Sequence, residues 1–252
     1  MKKSVTVLLI LVCVLFAGLL LFSTYKLLRI TYDYKVSEER YSGLADRVIS
    51  TERKETATAP EQEISPVDVD FSSLLAQSED VVGWIYSPGT TINYPVVRAE
   101  DNDYYLHRYL DGSTNAGGIP FMDCQCPRDF SGANSIVYGH HMNDGSMFAS
   151  LSNYREDGYY QAHPVMYLNT PTQNYRIDVF SGSVTDADSD TYTLSFGDAD
   201  SYLAYLNSMR LQSDFAADVE ISAEDRILTL STCSYEYWDA RYVVQGKLVP
   251  IG

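Results

Sequence analysis

Two side chains near the carboxyl end of the chain could act together on a carbonyl group. Within LTLSTCSYEYWDAR, residues 228–241, Cys233 offers a thiol and Arg241, eight positions later, a fixed cation. The thiolate of a cysteine is a nucleophile, and a guanidinium nearby favours that anion and then stabilises the oxyanion formed when it attacks. Spacing alone leaves a plainer reading open, in which the cysteine is a small buried hydrophobe at a strand end and the arginine an ion-pair partner after an acidic turn. A third candidate is His140, which follows the apolar run Ile136 to Tyr138 and Gly139. That glycine can turn the chain and leave the imidazole at a strand end, where a proton shuttle belongs. Ser231 and Thr232 flank the thiol and Glu236 lies in the next loop, so these three are candidate substrate contacts; Glu236 and Asp239 could instead only tune Arg241.

These side chains need strands to hold them. Arg226 to Thr232 and Tyr242 to Val249 read as two strands, rich in β-branched and apolar residues. If they pair, Cys233 leaves one where Arg241 enters the other. Thr229, Ser231 and Cys233 then share one face, and Arg241, Gln245 and Lys247 share a parity, although Val243 breaks the polar pattern. Further strands are predicted over residues 92–98, 118–122, 134–138, 165–169 and 175–184, and helices over 71–78, 147–154 and 198–211. The class is mainly β with peripheral helices.

Three ordered segments resemble the sortases, membrane-anchored cysteine transpeptidases of Gram-positive bacteria. TLSTC followed by Arg241 resembles their active-site signature. Ile136-Val137-Tyr138-Gly139-His140, continued by His141-Met142 and Gly145-Ser146-Met147-Phe148, resembles the strand, histidine and helix of class B members. Val82-Gly83-Trp84-Ile85, Ile92-Asn93-Tyr94-Pro95-Val96-Val97 and Asp103-Tyr104-Tyr105-Leu106 are similar to the class B amino-terminal half. The resemblance covers roughly residues 71–248 and implies a closed sortase-type β-barrel. It also implies that Cys233 is the nucleophile, His140 the shuttle and Arg241 the substrate and oxyanion ligand; consecutive side chains of an extended segment point in opposite directions, so with His140 towards Cys233, His141 is expected to face away.

The implied reaction cleaves a carboxyl-terminal sorting signal after its threonine and joins the protein to an amino group of cell-wall peptidoglycan. The implied partners are surface proteins or pilins carrying NPQTN-like or (S/P)PxTG-like signals. A pilin-polymerising sortase, a membrane-tethered cysteine protease and a catalytically idle wall-binding domain are the alternatives.

Ahead of this region the apolar run Val5 to Phe22 is long enough to cross a bilayer. No small-x-small cleavage pattern follows it, so an uncleaved anchor is expected. Lys2 and Lys3 favour a cytoplasmic amino terminus, Lys26, Arg29 and Lys35 weaken the bias, and the resemblance implies an extracellular catalytic domain. The predicted organisation is an anchor over residues 1–25, a juxtamembrane helix and linker over 26–65, and a catalytic domain over 66–252. Leu27, Leu28, Tyr32, Val36, Tyr41, Leu44 and Val48 are spaced as in a helix, and residues 56–66 have linker composition.

Residues 1–65 hold nine Lys or Arg against eight Asp or Glu, while the remainder holds nine against 26. Such an acidic domain argues against nucleic-acid binding and suits a cationic or amine partner. No phosphate-cradling loop, HExxH or GxSxG motif is present, so neither cofactor nor metal is expected. His107 and His163 read as ordinary surface histidines, Cys13 as a packing residue of the apolar run, and Cys124 and Cys126 as incidental surface or turn thiols, one residue being too short a span for an unstrained disulfide.

Overall fold

The computed structural model describes residues 2–50, 63–234, 236 and 238–252, with side chains from residue 5 onward. The chain begins with one helix, α1 (Lys2–Val48), whose first part is apolar and exposed along its whole circumference. This is the one described helix long and apolar enough to cross a membrane. From Ser37 onward the same helix changes character. Ser37, Tyr41, Leu44, Ala45 and Val48 are buried, and their spacing of three and four places them on one stripe. That stripe packs on the domain, with Tyr41 against the rings of Tyr94 and Tyr109. Leu27, Leu28 and Tyr32 of the same predicted pattern stay exposed. A short ladder follows, β1 (Ile49–Ser50) against β2 (Asp68–Val69). Most of the expected linker over 56–66 lies outside the described residues.

Eight strands close into a barrel. They are β3 (Val81–Tyr86), β4 (Asn93–Val97), β5 (Phe121–Met122), β6 (Asn134–Tyr138), β7 (Val165–Asn169), β8 (Asn174–Asp186), β9 (Ile227–Cys233) and β10 (Ala240–Ile251). Their order around the barrel is β10-β8-β7-β3-β4-β5-β6-β9, with β9 returning to β10. The β4–β5 and β6–β9 pairs are parallel and the rest antiparallel. The expected mainly β barrel with peripheral helices is therefore found.

The local differences have physical causes. β3 was not predicted, because Val81, Val82, Gly83, Trp84 and Ile85 are all buried and show no alternation. The predicted strand over 118–122 shrinks to Phe121–Met122: Gly118 takes a left-handed backbone, φ 55°, and would bring any Cβ into the carbonyls of Tyr105 and Leu106. The helix predicted over 147–154 is a 3-10 helix over Ala149–Arg155, since Met147 is itself left-handed at φ 57°. The helix predicted from residue 71 is α2 (Phe71–Leu75), capped by Asp70. A short α3 (Tyr159–Ala162) was not expected. α4 (Ala199–Leu211) matches its prediction and begins in a capping box between Asp198 and Ser201.

β9 separates two environments. Leu228 and Leu230 belong to the barrel core, while Ile227 packs with Tyr202, Tyr205, Leu206 and Met209 of α4. Between β9 and α4 buried polar groups bond to one another: Thr229 donates to Asn134 Oδ1 at 2.8 Å, and the Gln245 amide nitrogen donates to the Tyr205 hydroxyl at 3.0 Å. By parity Ile227, Thr229, Ser231 and Cys233 share this outer side of the barrel wall.

Candidate active site

The ladders bring the three predicted groups to one place. Cys233 pairs directly with Arg241 in the antiparallel β9–β10 register, so their Cα atoms are neighbours across a single strand spacing. On the other side of β9, Tyr138 of parallel β6 is in register with Ser231, and the Gly139 amide donates to the Ser231 carbonyl at 3.0 Å. Two residues beyond that pair are His140 on one chain segment and Cys233 on the other. All three side chains line a cleft of about 220 Å³. Ser231 and Thr232 line it too, with Leu106, Phe121, Tyr138, Ala187 and Tyr192 forming its walls.

Gly139 acts differently from the turn expected of it. Its φ is not left-handed; instead a Cβ there would lie 2.6 Å from the ring of Phe148. Glycine is needed so that this buried ring can pack under the strand end and hold the His140 backbone, whose carbonyl accepts from the Phe148 amide at 3.0 Å.

His140 Nε2 lies 2.8 Å from the carbonyl oxygen of Leu106. A carbonyl only accepts, so Nε2 carries a proton and Nδ1 is the nitrogen left to exchange one. Burial pulls the His140 pKa below the ordinary imidazole value, the Leu106 carbonyl acts the opposite way, and His107 adds to the lowering. Burial likewise pushes up the phenols of Tyr138 and Tyr192, so both stay neutral. Tyr192 shares a hydrogen bond of 2.8 Å with the Ser231 hydroxyl, and Tyr138 donates to buried Asp123 at 3.0 Å. The Thr232 hydroxyl is buried at the cleft without a protein partner.

The Arg241 guanidinium is held at its tip. Nη2 is 2.8 Å from Asp239 Oδ1, and Nη1 is 3.1 Å from the carbonyls of Asp239 and Ala240. Asp239 reaches this position from a left-handed backbone, φ 65°, which aspartate tolerates better than most residues. Asp239 therefore touches Arg241 as the sequence suggested. Glu236 does not line the cleft: its carboxylate is engaged by Arg155 and by the Ser234 hydroxyl. Its candidacy as a substrate contact thus has no support from position, because the arginine that claims it comes from the 3-10 helix over 149–155, which the sequence does not place near the loop.

Two other expectations are corrected. His141 was expected to face away from Cys233, yet its Nδ1 lies 3.1 Å from the Cys233 carbonyl and 3.4 Å from Ser152 Oγ. Strand alternation does not apply there, since β6 ends at Tyr138 and residue 141 enters a bridge with Met147. Cys126 is no surface thiol. It is buried, its Sγ accepts from the Ile136 amide at 3.5 Å, and burial pushes its pKa up to about 11. Among the described residues no group of three or more His, Cys, Asp or Glu side chains could hold a metal ion.

Sequence reasoning missed Leu106, whose contribution is a backbone carbonyl with no signature. It also missed His107, whose ring lies against His140. The one available signal was the resemblance of Asp103 to Leu106 to a known family segment.

A family model described as the sortase domain matches residues 85–249. The chain is 34% identical over 235 residues to sortase B of Listeria monocytogenes, covering 92% of this chain and 93% of that protein. It is 32% identical over 183 residues to sortase B of Staphylococcus aureus, covering 72% and 75%. Among solved structures, sortase B from B. anthracis superposes with a TM-score of 0.74 at 32% identity, covering 87% of this chain and 99% of that one. A Staphylococcus aureus sortase B–substrate complex gives 0.69 at 32% identity, covering 72% and 85%.

Proposed function

The chain belongs to the sortase family, in its class B branch, and from that premise we propose that it is a cysteine transpeptidase acting on carboxyl-terminal sorting signals. The observation that carries this reading is the register that sets Arg241 against Cys233 in a cleft also lined by His140.

The Cys233 thiolate attacks the carbonyl carbon of the signal's threonine, and the Arg241 guanidinium stabilises the resulting oxyanion. His140, as the imidazolium, gives its Nδ1 proton to the departing nitrogen as the C–N bond breaks, leaving a thioester on Cys233. An acceptor amine then attacks that thioester, His140 takes its proton, and the thiolate leaves. One amide replaces another, with no net oxidation and no cofactor. Leu106, Tyr192, Ser231 and Thr232 line the same cleft, which supports assigning contacts with the signal to them.

The donors we propose are surface proteins with NPQTN-like or (S/P)PxTG-like signals, and the acceptor a peptidoglycan amino group. The proposed topology is a single span by the apolar part of α1, an amino terminus in the cytoplasm and the barrel outside, with the buried stripe of α1 from Ser37 to Val48 joining anchor and catalytic domain. The test is a sorting peptide incubated with the enzyme, with and without an added amine. A thioester adduct on Cys233 and a product that shifts from acid to amide as amine is added support transpeptidation. Turnover retained in Cys233→Ala, or a product that stays acid at every amine concentration, refutes it.

A further inference from the structure

We propose that His107 is a positioning residue for this reaction: its ring fixes the plane of the His140 imidazole, and its own charge state governs how readily His140 takes the proton it must deliver. The proposal rests on His140 as the shuttle.

The two rings lie nearly parallel, 15° apart with centroids separated by 5.4 Å, within the range of an offset stack. Both contacts that define the His140 ring come from one short element, the 3-10 turn Tyr104–His107, which supplies the Leu106 carbonyl to its edge and the His107 ring to its face. An edge contact alone leaves the ring free to rock about the Nε2–H···O axis, and the stack removes that freedom.

The turn is itself braced. The His107 carbonyl accepts from the Asn115 amide at 3.0 Å and the Tyr105 carbonyl from the Ile119 amide at 3.2 Å. Asn115 in turn bonds Ser37 and Tyr41 of α1, the latter at 3.0 Å. The bracket that holds His140 is thus tied to the helix that leads from the membrane span.

The two histidines differ in access. His140 is half-buried in the cleft, whereas His107 is exposed and opens onto a second cavity, of about 500 Å³, against α1. Arg29, Tyr32, Asp33 and Arg40 line that cavity with it. On its own turn lie Asp103 and Tyr104, the latter with the Arg108 guanidinium 4.4 Å from its ring centroid. On its other face is His140, which Cys233, Arg241, Tyr138 and Tyr192 surround in the cleft.

Two imidazolium rings face to face repel, so the pair resists holding two protons. This is the sense of the lowering that His107 adds to the effect of burial on His140. An uncharged ring of similar shape at position 107 therefore lets His140 protonate at higher pH, which moves the acid limb of the rate profile upward. Loss of the ring altogether leaves His140 misoriented.

The experiment compares His107→Phe and His107→Ala with wild type in the full-length enzyme held in nanodiscs. Two quantities are read: the pH profile of kcat and KM with a sorting peptide and an amine, and the ring-nitrogen resonances of His140. The chain has only four histidines to resolve. For His107→Ala the expectation is a kcat about tenfold lower at nearly unchanged KM, the scale of a small misplacement of a reacting group. His107→Phe restores kcat, moves the acid limb upward and raises the pH at which His140 titrates. Wild-type kcat and an unchanged His140 titration in both variants overturn the proposal, as does a loss of kcat in the phenylalanine variant equal to that of alanine. A shifted His140 titration with an unaltered rate profile overturns the shuttle role beneath the proposal while leaving the coupling of the two rings intact.

Discussion

Replacing Arg241 by lysine separates two things an arginine does at this site, since the charge is kept and the planar fork is lost. Arg241 stands directly across the ladder from Cys233, so a substrate carbonyl attacked by the thiolate lies within reach of its guanidinium. Three contacts to Asp239 and Ala240 hold the guanidinium in place, and with five N–H donors in all it has others to offer an oxyanion. Lysine is a mobile point charge on a flexible stem and keeps no such fixed direction. Losing one preorganised oxyanion donor costs on the order of 10²–10³ in kcat. Retention of the charge places Arg241→Lys at the lower end, about a hundredfold or about 2.7 kcal/mol of transition-state stabilisation. Stability should change far less. The Asp239 pair is open to solvent, with the arginine side chain 27% and the aspartate 57% exposed, so it contributes at most about 1 kcal/mol, and the melting temperature moves by less than about 4 °C. The assay is kcat with a fluorogenic sorting peptide in the presence of an amine, alongside thermal unfolding. A near-normal kcat with an intact fold confines Arg241 to structure and refutes the argument. A fall in kcat matched by a large fall in melting temperature refutes it too, since the loss then belongs to the fold.

Other substitutions test the neighbouring steps. His140→Ala should abolish acyl transfer and remove the bell-shaped pH dependence that a thiolate–imidazolium pair produces; His141→Ala, which loses the tether to the Cys233 carbonyl, should keep the bell with a modest loss of rate. The contact of His141 with Ser152 is lost as well, and an unaltered bell in His140→Ala counts against the assignment. Burial lowers the His140 pKa in the folded state, so the unfolded chain binds this proton more readily and the residue's contribution to stability rises with pH between the lowered value and about 6.5; His140→Gln should flatten that part of the urea-midpoint profile, and an unchanged slope shows that the imidazole is not desolvated. Leu44→Ala, at a fully buried position where α1 meets the barrel, should destabilise by about 2–5 kcal/mol, whereas a cost below about 0.5 kcal/mol means the helix does not pack there in solution. Protease added outside intact protoplasts should cut the chain near residues 56–66, the nicked domain staying on the cells through the buried stripe of α1, and full protection of the domain reverses the proposed topology.

Much of the site was legible before any coordinates. TLSTC with Arg241 eight residues on, and the segment ending at His140, are local patterns whose strands form from their own β-branched and apolar residues. A two-strand pairing of 226–232 with 242–249 is enough to set a thiol beside a guanidinium. The apolar span of α1 and the capped α4 were equally plain, because periodicity and capping are properties of a short window. What a window does not contain is partner choice. That β6 lies parallel to β9, bringing His140 level with Cys233, depends on closure of the whole barrel. So does the burial of β3 on both faces, which erased the alternation that would have revealed it. Arg155 claims Glu236, the Leu106 carbonyl orients His140, and His107 stacks on it, each across a long stretch of chain and none with a local sequence pattern. Residue types and short-range spacing determined which groups could do chemistry here; long-range packing and register decided which of them meet, because the free energy that selects those contacts comes from burying the barrel as a unit.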